Sequence, residues 1–518
     1  MRFSDYLDRA AGLYPEHEAF VDGDERLDFR TARDTTHRIA NVLSNSLGLP
    51  AGSKIAVYCP NTTLGYLAVV GANRADMTWI PINYRNALPD TIEILEFFDA
   101  DCLVFHSMFE HQIAEILTSV PAIKKVICLD KKTEHGPALN ELIQDASSTF
   151  AIEPEDPNAL SIIAPTGGTT GPSKGVMQTH RGIEMSLVHM HDLNIPENPR
   201  YLVVVSPITH AAGYLIPAFY ARGGASIILP GFDAENVLKT IERESITHLY
   251  LPPTAIYALL DLPNLKEYDV SSLQSFYCGA SPIAPKRFKE AVEVFGTCMT
   301  EQYGQSETFF PTLIKSSKDY LDAEGNFRDN VLASTGRASR ATWIEIMDDD
   351  GNILAPGEKG EIVVRSSSVM AGYYKNPEAT AEVSKFGWHH TTDMGIKDEE
   401  GYITIVDRKK DMIITGGFNV FPIEIEKILN SHPAVRNCAV IGVPDPKWGE
   451  AIKAVVQLND GKNVRDQELI ALCKEKLGNV KAPKSVEFWD DLPMSPVGKV
   501  LKRDIRETFW QGQARAVN

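Results

Sequence analysis

Ala164-Pro-Thr-Gly-Gly-Thr-Thr-Gly-Pro-Ser-Lys-Gly-Val176 is the stretch on which the fold of this chain turns. It follows an apolar run, Ala159 to Ala164, that reads as a buried strand ending at a turn. Four glycines (Gly167, Gly168, Gly171, Gly175) let the backbone come close to a ligand, and their N–H groups can turn inward on an anion. Thr166, Thr169, Thr170 and Ser173 add hydroxyls, and Lys174 adds a positive charge. Phosphate suits such a lining; a flexible polar loop fits the same letters. The run is not a Walker loop, because Lys174 follows Ser173 and no Gly-Lys-Ser/Thr comes at the required spacing.

At 518 residues the chain is too long for one ordinary core, so a large domain and at least one smaller one are expected. Its net charge of −18 argues against general binding of nucleic acid or acidic membranes. Any polyanion site must then be a basic island in an acidic body. The seven cysteines are scattered, without a C-x-x-C pair, as in a cytoplasmic protein with reduced thiols. The N-terminal MRFSDYLDRAAGLYPEHEAF carries neither a signal-peptide core nor a transit pattern. No apolar run approaches the ~18 residues of a membrane span, and the final Ala-Val-Asn is not a peroxisomal address. A cytoplasmic location without integral membrane contact is expected; homodimer formation is left open.

From about residue 35 helix and strand patterns alternate. Ile39, Val42, Leu43 and Leu47 recur at helical spacing, Lys54 to Cys59 reads as a strand, Leu64 to Ala75 as a helix and Trp79 to Ile82 as a strand. The rhythm resumes after the glycine-rich loop, with strands near 201–206, 226–229, 248–251 and 273–278 and helices over 234–244 and 285–295. This predicts an α/β fold with largely parallel sheets covered on both faces. From about 340 short strands joined by Asp/Gly turns (Trp343 to Ile346, Glu361 to Val364, Tyr402 to Ile405) predict a small β-rich subdomain. Beyond the charged knot Asp407-Arg-Lys-Lys-Asp411, helices over 422–430 and 467–477 and strands over 438–443 and 452–458 predict a separate α+β domain. The expected division is 1–407, a hinge at 408–410, and 411–518.

The order T-G-G-T-T-G-x-S-K-G-V resembles the phosphate loop of the adenylate-forming enzymes, and five further segments match that superfamily in sequence order. They are Cys278-Gly-Ala-Ser281, Tyr303-Gly-Gln-Ser-Glu307, Trp388-His-His-Thr-Thr-Asp393, the run from Asp407 to Glu426, and Leu492-Pro-Met-Ser-Pro-Val-Gly-Lys499. Six segments in register over nearly the whole chain place the resemblance in the acyl-CoA synthetase branch, with the AMP-dependent fatty-acid and aryl-acid ligases. It implies two αβαβα layers in the N-terminal domain and a mobile C-terminal domain.

The resemblance also implies roles. Thr166 to Gly171 and Lys174 would hold ATP phosphates. Gly279, Ala280 and Ser281 would lie against adenine, with Gln302, Tyr303 and Gly304 beside them and Tyr303 stacked on the ring. Ser306 would meet the α-phosphate and Glu307 would hold Mg²⁺. Asp393 would accept both ribose hydroxyls, as a carboxylate can from a cis-diol, and Arg408 would contact ribose or phosphate. Lys410 takes the hinge position, Gly416, Gly417 and Phe418 would line a tunnel for CoA, and Lys499 is the catalytic lysine. Taken alone, Tyr303 fits a core aromatic, Glu307 a solvated carboxylate and Lys499 one charge of a basic tail.

Departures from the family pattern are Gly167 in place of serine, the shifted Pro172-Ser173 order, Ser306 for threonine and Thr392 for the frequent glycine. Each keeps a usable backbone or hydroxyl. Pro207-Ile-Thr-His210 resembles the segment whose histidine gates the carboxylate pocket, although a core histidine fits His210 as well. Hydroxycinnamate ligases have tyrosine two places after it; here Ala212 stands there. Small Ala211, Ala212 and Gly213 imply space, with Tyr214, Tyr277, Phe309 and Phe310 as apolar walls. The expected substrate is a bulky hydrophobic carboxylic acid, medium-to-long aliphatic or polycyclic, used with ATP and CoA. CoA is favoured because the chain is free-standing and its Gly-Gly-Phe-Asn segment resembles those of acyl-CoA synthetases. The alternatives are loading of a carrier protein and a silent nucleotide-binding regulator.

Overall fold

The computed structural model describes residues 1–151, 156–166, 174–190, 195–204, 208, 211–408, 411–415, 418–495 and 500–510, with backbone alone at 211, 310, 408 and 419. Two compact units emerge, one from Met1–Thr166, Ser173–Trp343 and Arg365–Glu382, the other from Ile344–Val364 and Val383–Asn518.

The first unit is built on two mixed sheets. In the nine-stranded sheet, Met299–Gln305, Ser275–Cys278, His248–Leu251, Arg200–Val203, Ala225–Ile228 and Glu18–Asp22 lie parallel, in that spatial order. Antiparallel strands flank this centre, among them Phe309–Lys315 beside Met299–Gln305. The seven-stranded sheet runs parallel through Leu160–Pro165, Thr78–Pro81, Lys54–Tyr58, Cys102–Phe105 and Lys125–Cys128. It ends in antiparallel Gly175–Thr179 and Gly372–Tyr373. Central strands are mainly apolar and almost wholly buried, as cover on both faces requires. Helices start where the sequence caps them: Ala234–Glu244 follows Asp233, whose carboxylate accepts from Asn236 N at 2.8 Å, and it buries Val237, Leu238 and Ile241.

The second unit holds a four-stranded sheet (Trp343–Met347, Lys359–Arg365, His389–Lys397, Ile403–Arg408) and a five-stranded sheet centred on Val435–Asp445 and Gly449–Leu458. The small sheet therefore groups with the C-terminal residues. Lys359 lies 3.0 Å from the centroid of the Phe421 ring, and the Asp407 carboxylate accepts from Ile423 N at 3.0 Å, within the first turn of helix Pro422–Asn430. Lys502 pairs with Glu426 at 2.8 Å. Burial disfavours its charge, but Glu426, Asp407 and Asp411 together outweigh that and raise its pKa. Residues 409 and 410, where the hinge is expected, lie outside the described residues.

Register places Glu301 opposite Lys315 in the antiparallel pair of the large sheet. Their side chains, 6% and 1% exposed, form an ion pair at 2.6 Å. Lys315 Nζ also donates to Leu332 O at 3.1 Å and Ser334 O at 2.6 Å. Removing one member of such a pair leaves a buried charge uncompensated. Lys315→Met and Glu301→Gln are each expected to destabilise the protein by roughly 3–5 kcal/mol. The double variant should cost clearly less than the sum. Urea unfolding of all four proteins gives the coupling energy; additive losses would contradict the pairing.

Candidate active site

The glycine-rich loop connects two antiparallel strands, Leu160–Pro165 and Gly175–Thr179. Thr166 N donates to Lys174 O at 2.9 Å, and Lys174 N to Thr166 Oγ1 at 3.3 Å, closing the base of the loop. Gly167, Gly168, Thr169, Thr170 and Gly171 lie outside the described residues. The Lys174 ammonium sits over the Tyr373 ring, 4.6 Å from its centroid, and among the described residues it pairs with no carboxylate.

Glu307 lies in the turn between Met299–Gln305 and Phe309–Lys315, and this turn is held from three directions. Gln178 Nε2 donates to Ser306 O at 2.7 Å, Met370 N to Glu307 O at 2.7 Å, and Tyr373 OH to Glu307 Oε1 at 2.8 Å. Burial, then the Glu307 charge, raises the Tyr373 pKa, so the phenol stays a proton donor. Gln305 Nε2 donates to Tyr303 OH at 3.1 Å. A Cβ on Gly279 would lie 2.9 Å from Gln302 O and 3.3 Å from the Tyr250 ring, so glycine permits the 278–281 turn to approach the 302–304 strand. Ala280 is exposed at φ +70°, and Ser281 follows it. Both amide atoms of Gln302 are buried without a hydrogen-bond partner among the described residues. Among the described residues no group of three or more His, Cys, Asp or Glu could hold a metal ion. A cation at Glu307 would have to take its other ligands from elsewhere.

Of the expected acid-binding residues, His210 and the side chains of Ala211 and Phe310 lie outside the described residues. Ala212 and Phe309 are buried. Tyr214 meets Trp79 edge-on at 5.5 Å and Phe309 at 4.9 Å between ring centroids. Gly213 is a packing requirement, because a Cβ there would lie 1.8 Å from Ile208 O. Tyr277 is fully buried, 6.0 Å from the His248 ring.

In the second unit Asp393 stands on strand His389–Lys397, opposite Arg408 in register. Its N–H is fixed by Thr391 Oγ1 at 3.1 Å. Thr392 adopts φ +61°, the left-handed region that glycine occupies at least cost, which explains why glycine is frequent there. Glu361 supports the bend, accepting from Thr392 N at 2.9 Å and from His390 Nδ1 at 3.1 Å. Phe418 is 59% exposed. Lys410, Gly416, Gly417 and Lys499 lie outside the described residues.

Residues 7–374 match the family model of the AMP-binding enzymes, and 424–499 that of the AMP-binding enzyme C-terminal domain. The chain belongs to the AMP-binding enzyme family. Within this adenylate-forming family it falls in the acyl-CoA synthetase branch, as a carboxylic acid–CoA ligase that uses ATP and CoA. It is 35% identical to a medium/long-chain-fatty-acid–CoA ligase, FadD8, of Mycobacterium tuberculosis (strain ATCC 25618 / H37Rv), over 96% of this chain and 88% of that one. It is 33% identical to a feruloyl-CoA synthase of Amycolatopsis sp, over 97% and 98%. The solved amide bond synthetase McbA of Marinactinospora thermotolerans superposes with a TM-score of 0.88 at 30% identity, covering 98% of this chain and 100% of that one.

Tyr373, Met370 and Gln178 escaped the sequence reading. The family matching was confined to motifs, and these three act on a motif from outside it. Among the described residues no helix is long and apolar enough to cross a membrane.

Two buried histidines give the adenylate-forming fold a pH dependence. Burial lowers His389 to about 4, with a smaller effect of His390, and burial lowers His248 to about 4. The unfolded chain takes up protons near 6.5, whereas the folded one does not until about 4. Stability is therefore full above pH 6.5 and falls as pH drops toward 4, by roughly 1.4 kcal/mol per pH unit per histidine. Urea midpoints at pH 7.5, 6 and 5 should decline, and His248→Phe should shallow the decline. An unchanged slope in that variant would remove His248 from the account.

Proposed function

We propose that this ligase activates a bulky hydrophobic carboxylic acid, medium-to-long aliphatic or polycyclic, as its acyl-adenylate and passes the acyl group to CoA. The observation that carries the acid class is the contiguous aromatic surface of Trp79, Tyr214 and Phe309, with the small Ala212 on the same helix as Tyr214. Apolar walls with a residue without bulk near them favour burial of a large hydrocarbon body.

A carboxylate is a poor electrophile, because its charge repels nucleophiles. In the first step its oxygen attacks the α-phosphorus of ATP and pyrophosphate leaves. In the second the CoA thiol attacks the acyl carbon, loses its proton, and AMP departs. Lys174 at the mouth of the glycine-rich loop holds departing phosphates. Lys499 meets the charge that builds at the α-phosphorus, and such a preorganised donor counts most where water is excluded. Asp393 fixes the ribose.

Glu307 fits Mg²⁺: Tyr373 occupies one carboxylate oxygen, the other takes no hydrogen bond or ion pair among the described residues, and a single carboxylate plus phosphate oxygens and water is how Mg²⁺ is commonly held. Bound there, the ion would neutralise phosphate charge as a Lewis acid. Because the first step acts at the α-phosphorus and the second at the acyl carbon, the two need different groups at one site, and we assign Lys410 as the hinge about which residues 411–518 turn.

Substrate class is tested by a panel of acids assayed for AMP formation with CoA. Medium and long aliphatic or polycyclic acids should exceed acetate and benzoate in kcat/KM. A preference for acetate would refute the wide pocket. Parallel assays with amines and with a carrier protein in place of CoA test the acceptor, since one structural relative is an amide bond synthetase.

The half-reactions separate the two lysines. Lys499→Ala should slow adenylate formation by roughly 10²–10³, yet turn supplied acyl-AMP and CoA into thioester at near the parent rate. Lys410→Pro, with φ fixed near −65°, should form adenylate but little thioester. Pre-steady-state measurement of each step decides; both variants slowing the same step equally would rule out the turn about residue 410.

A further inference from the structure

The segment from Met370 to Tyr374 is a strut between strand Gly175–Thr179 and Glu307. On one side it zips onto the strand that follows Lys174: Ala371 N donates to Met177 O at 2.9 Å and Tyr374 N to Gly175 O at 2.7 Å, with Tyr373 opposite Val176. On the other side Met370 N donates to Glu307 O at 2.7 Å. Tyr373 stands in the middle, and Thr380 Oγ1 accepts from its N–H at 2.8 Å. Its hydroxyl holds Glu307 Oε1 at 2.8 Å, while its ring carries the Lys174 ammonium at 4.6 Å.

Opposite charges on neighbouring side chains in a partly enclosed site attract strongly, and a direct ion pair is their default state. Lys174 and Glu307 do not form one. We propose that Tyr373 is the residue that keeps them apart, a positioning residue that occupies Glu307 with a neutral donor and seats Lys174 on a π face. Each charged group then stays available, the ammonium for phosphate and the carboxylate for a cation. A hydrogen bond from a neutral phenol uses one oxygen without cancelling the carboxylate charge. A cation on an aromatic face keeps its full charge and most of its donors. Without Tyr373 the two groups would close on each other, and each would be lost to its ligand. The proposal rests on the reading of Lys174 and Glu307 as phosphate and cation ligands.

The test uses the full-length protein with ATP and Mn²⁺, without the acid, so that nothing turns over. Manganese affinity in the presence of ATP is read by electron paramagnetic resonance, and metal-free ATP affinity by calorimetry. Tyr373→Leu is expected to weaken both by roughly three- to thirtyfold. Adding Lys174→Met to Tyr373→Leu should restore manganese affinity at least in part, because the competing ammonium is gone, while ATP affinity stays weak. A merely structural role for Tyr373 would give no such rescue. Tyr373→Phe, which keeps the ring and most of the packing, should weaken manganese binding two- to fivefold and leave metal-free ATP binding near the parent value. Parent-like manganese affinity in Tyr373→Phe, or no rescue in the double variant, overturns the proposal. A parent protein that fails to bind Mn²⁺ with ATP would instead sink the reading on which it rests.

Discussion

The turn of Glu307 is one place where the two sheets of the first unit are joined. It belongs to the nine-stranded sheet, and the groups that hold it, Gln178, Met370 and Tyr373, belong to or adjoin the edge strands of the seven-stranded sheet. Three hydrogen bonds of 2.7–2.8 Å converge on two consecutive residues. A carboxylate is thereby placed from the sheet that does not carry it. Strand Gly175–Thr179, which begins directly after Lys174, lies at the same edge of the seven-stranded sheet, so Lys174 and the carboxylate share one frame. The two-residue strand Gly372–Tyr373 thus ties Lys174 and Glu307 to each other, through the ring and the hydroxyl of Tyr373.

Much of this was legible from the letters, for physical reasons. Helices Ala234–Glu244, Pro285–Phe295 and Pro422–Asn430 have the bounds expected of them, because each opens on a capping Asp or an N-terminal Pro and then buries a periodic apolar face. The central strands were visible as apolar runs because both of their faces are covered. Other features carried no such signal. Helix Phe3–Leu13 and the hairpin Glu18–Asp28 are charged enough to look like surface; their burial comes from distant partners such as Arg74, fully buried and paired with Asp8 at 2.6 Å. Glu301 and Lys315 read as solvent-facing charges until antiparallel register puts them opposite each other. Tyr373 lies in a two-residue strand, too short for any periodicity to mark. The candidate site was legible as a set of motifs, and what escaped was the scaffold holding one motif against another.

The chain solves an electrostatic problem by locality. With a net charge of −18, its mean field repels nucleotides and CoA. At about 8 Å of screening in physiological salt, however, remote carboxylates matter little and the nearest groups decide. Lys174 is uncancelled where it stands. Elsewhere the cations are consumed by structure: Lys315 by Glu301, Lys502 by Glu426, Arg506 by Asp411 at 2.8 Å. Lys174 thus differs from these three in its partner rather than in its charge, and the partner is an aromatic ring.

The aromatic cluster of Trp79, Tyr214 and Phe309 is continuous with the turn of Glu307. Phe309 follows Glu307 by two residues and holds φ +53°, a left-handed conformation that a bulky side chain adopts only under constraint. Its ring packs on Tyr214, which in turn meets Trp79. If these rings line the acid pocket as proposed, a change that reshapes the pocket pulls on Phe309, and through two backbone residues on Glu307. Close-packed interiors transmit such displacements rather than absorb them. The acid site is therefore better retuned at Ala212 than at the aromatic wall, because Tyr214 packs on Phe309 and Phe309 continues the turn of Glu307.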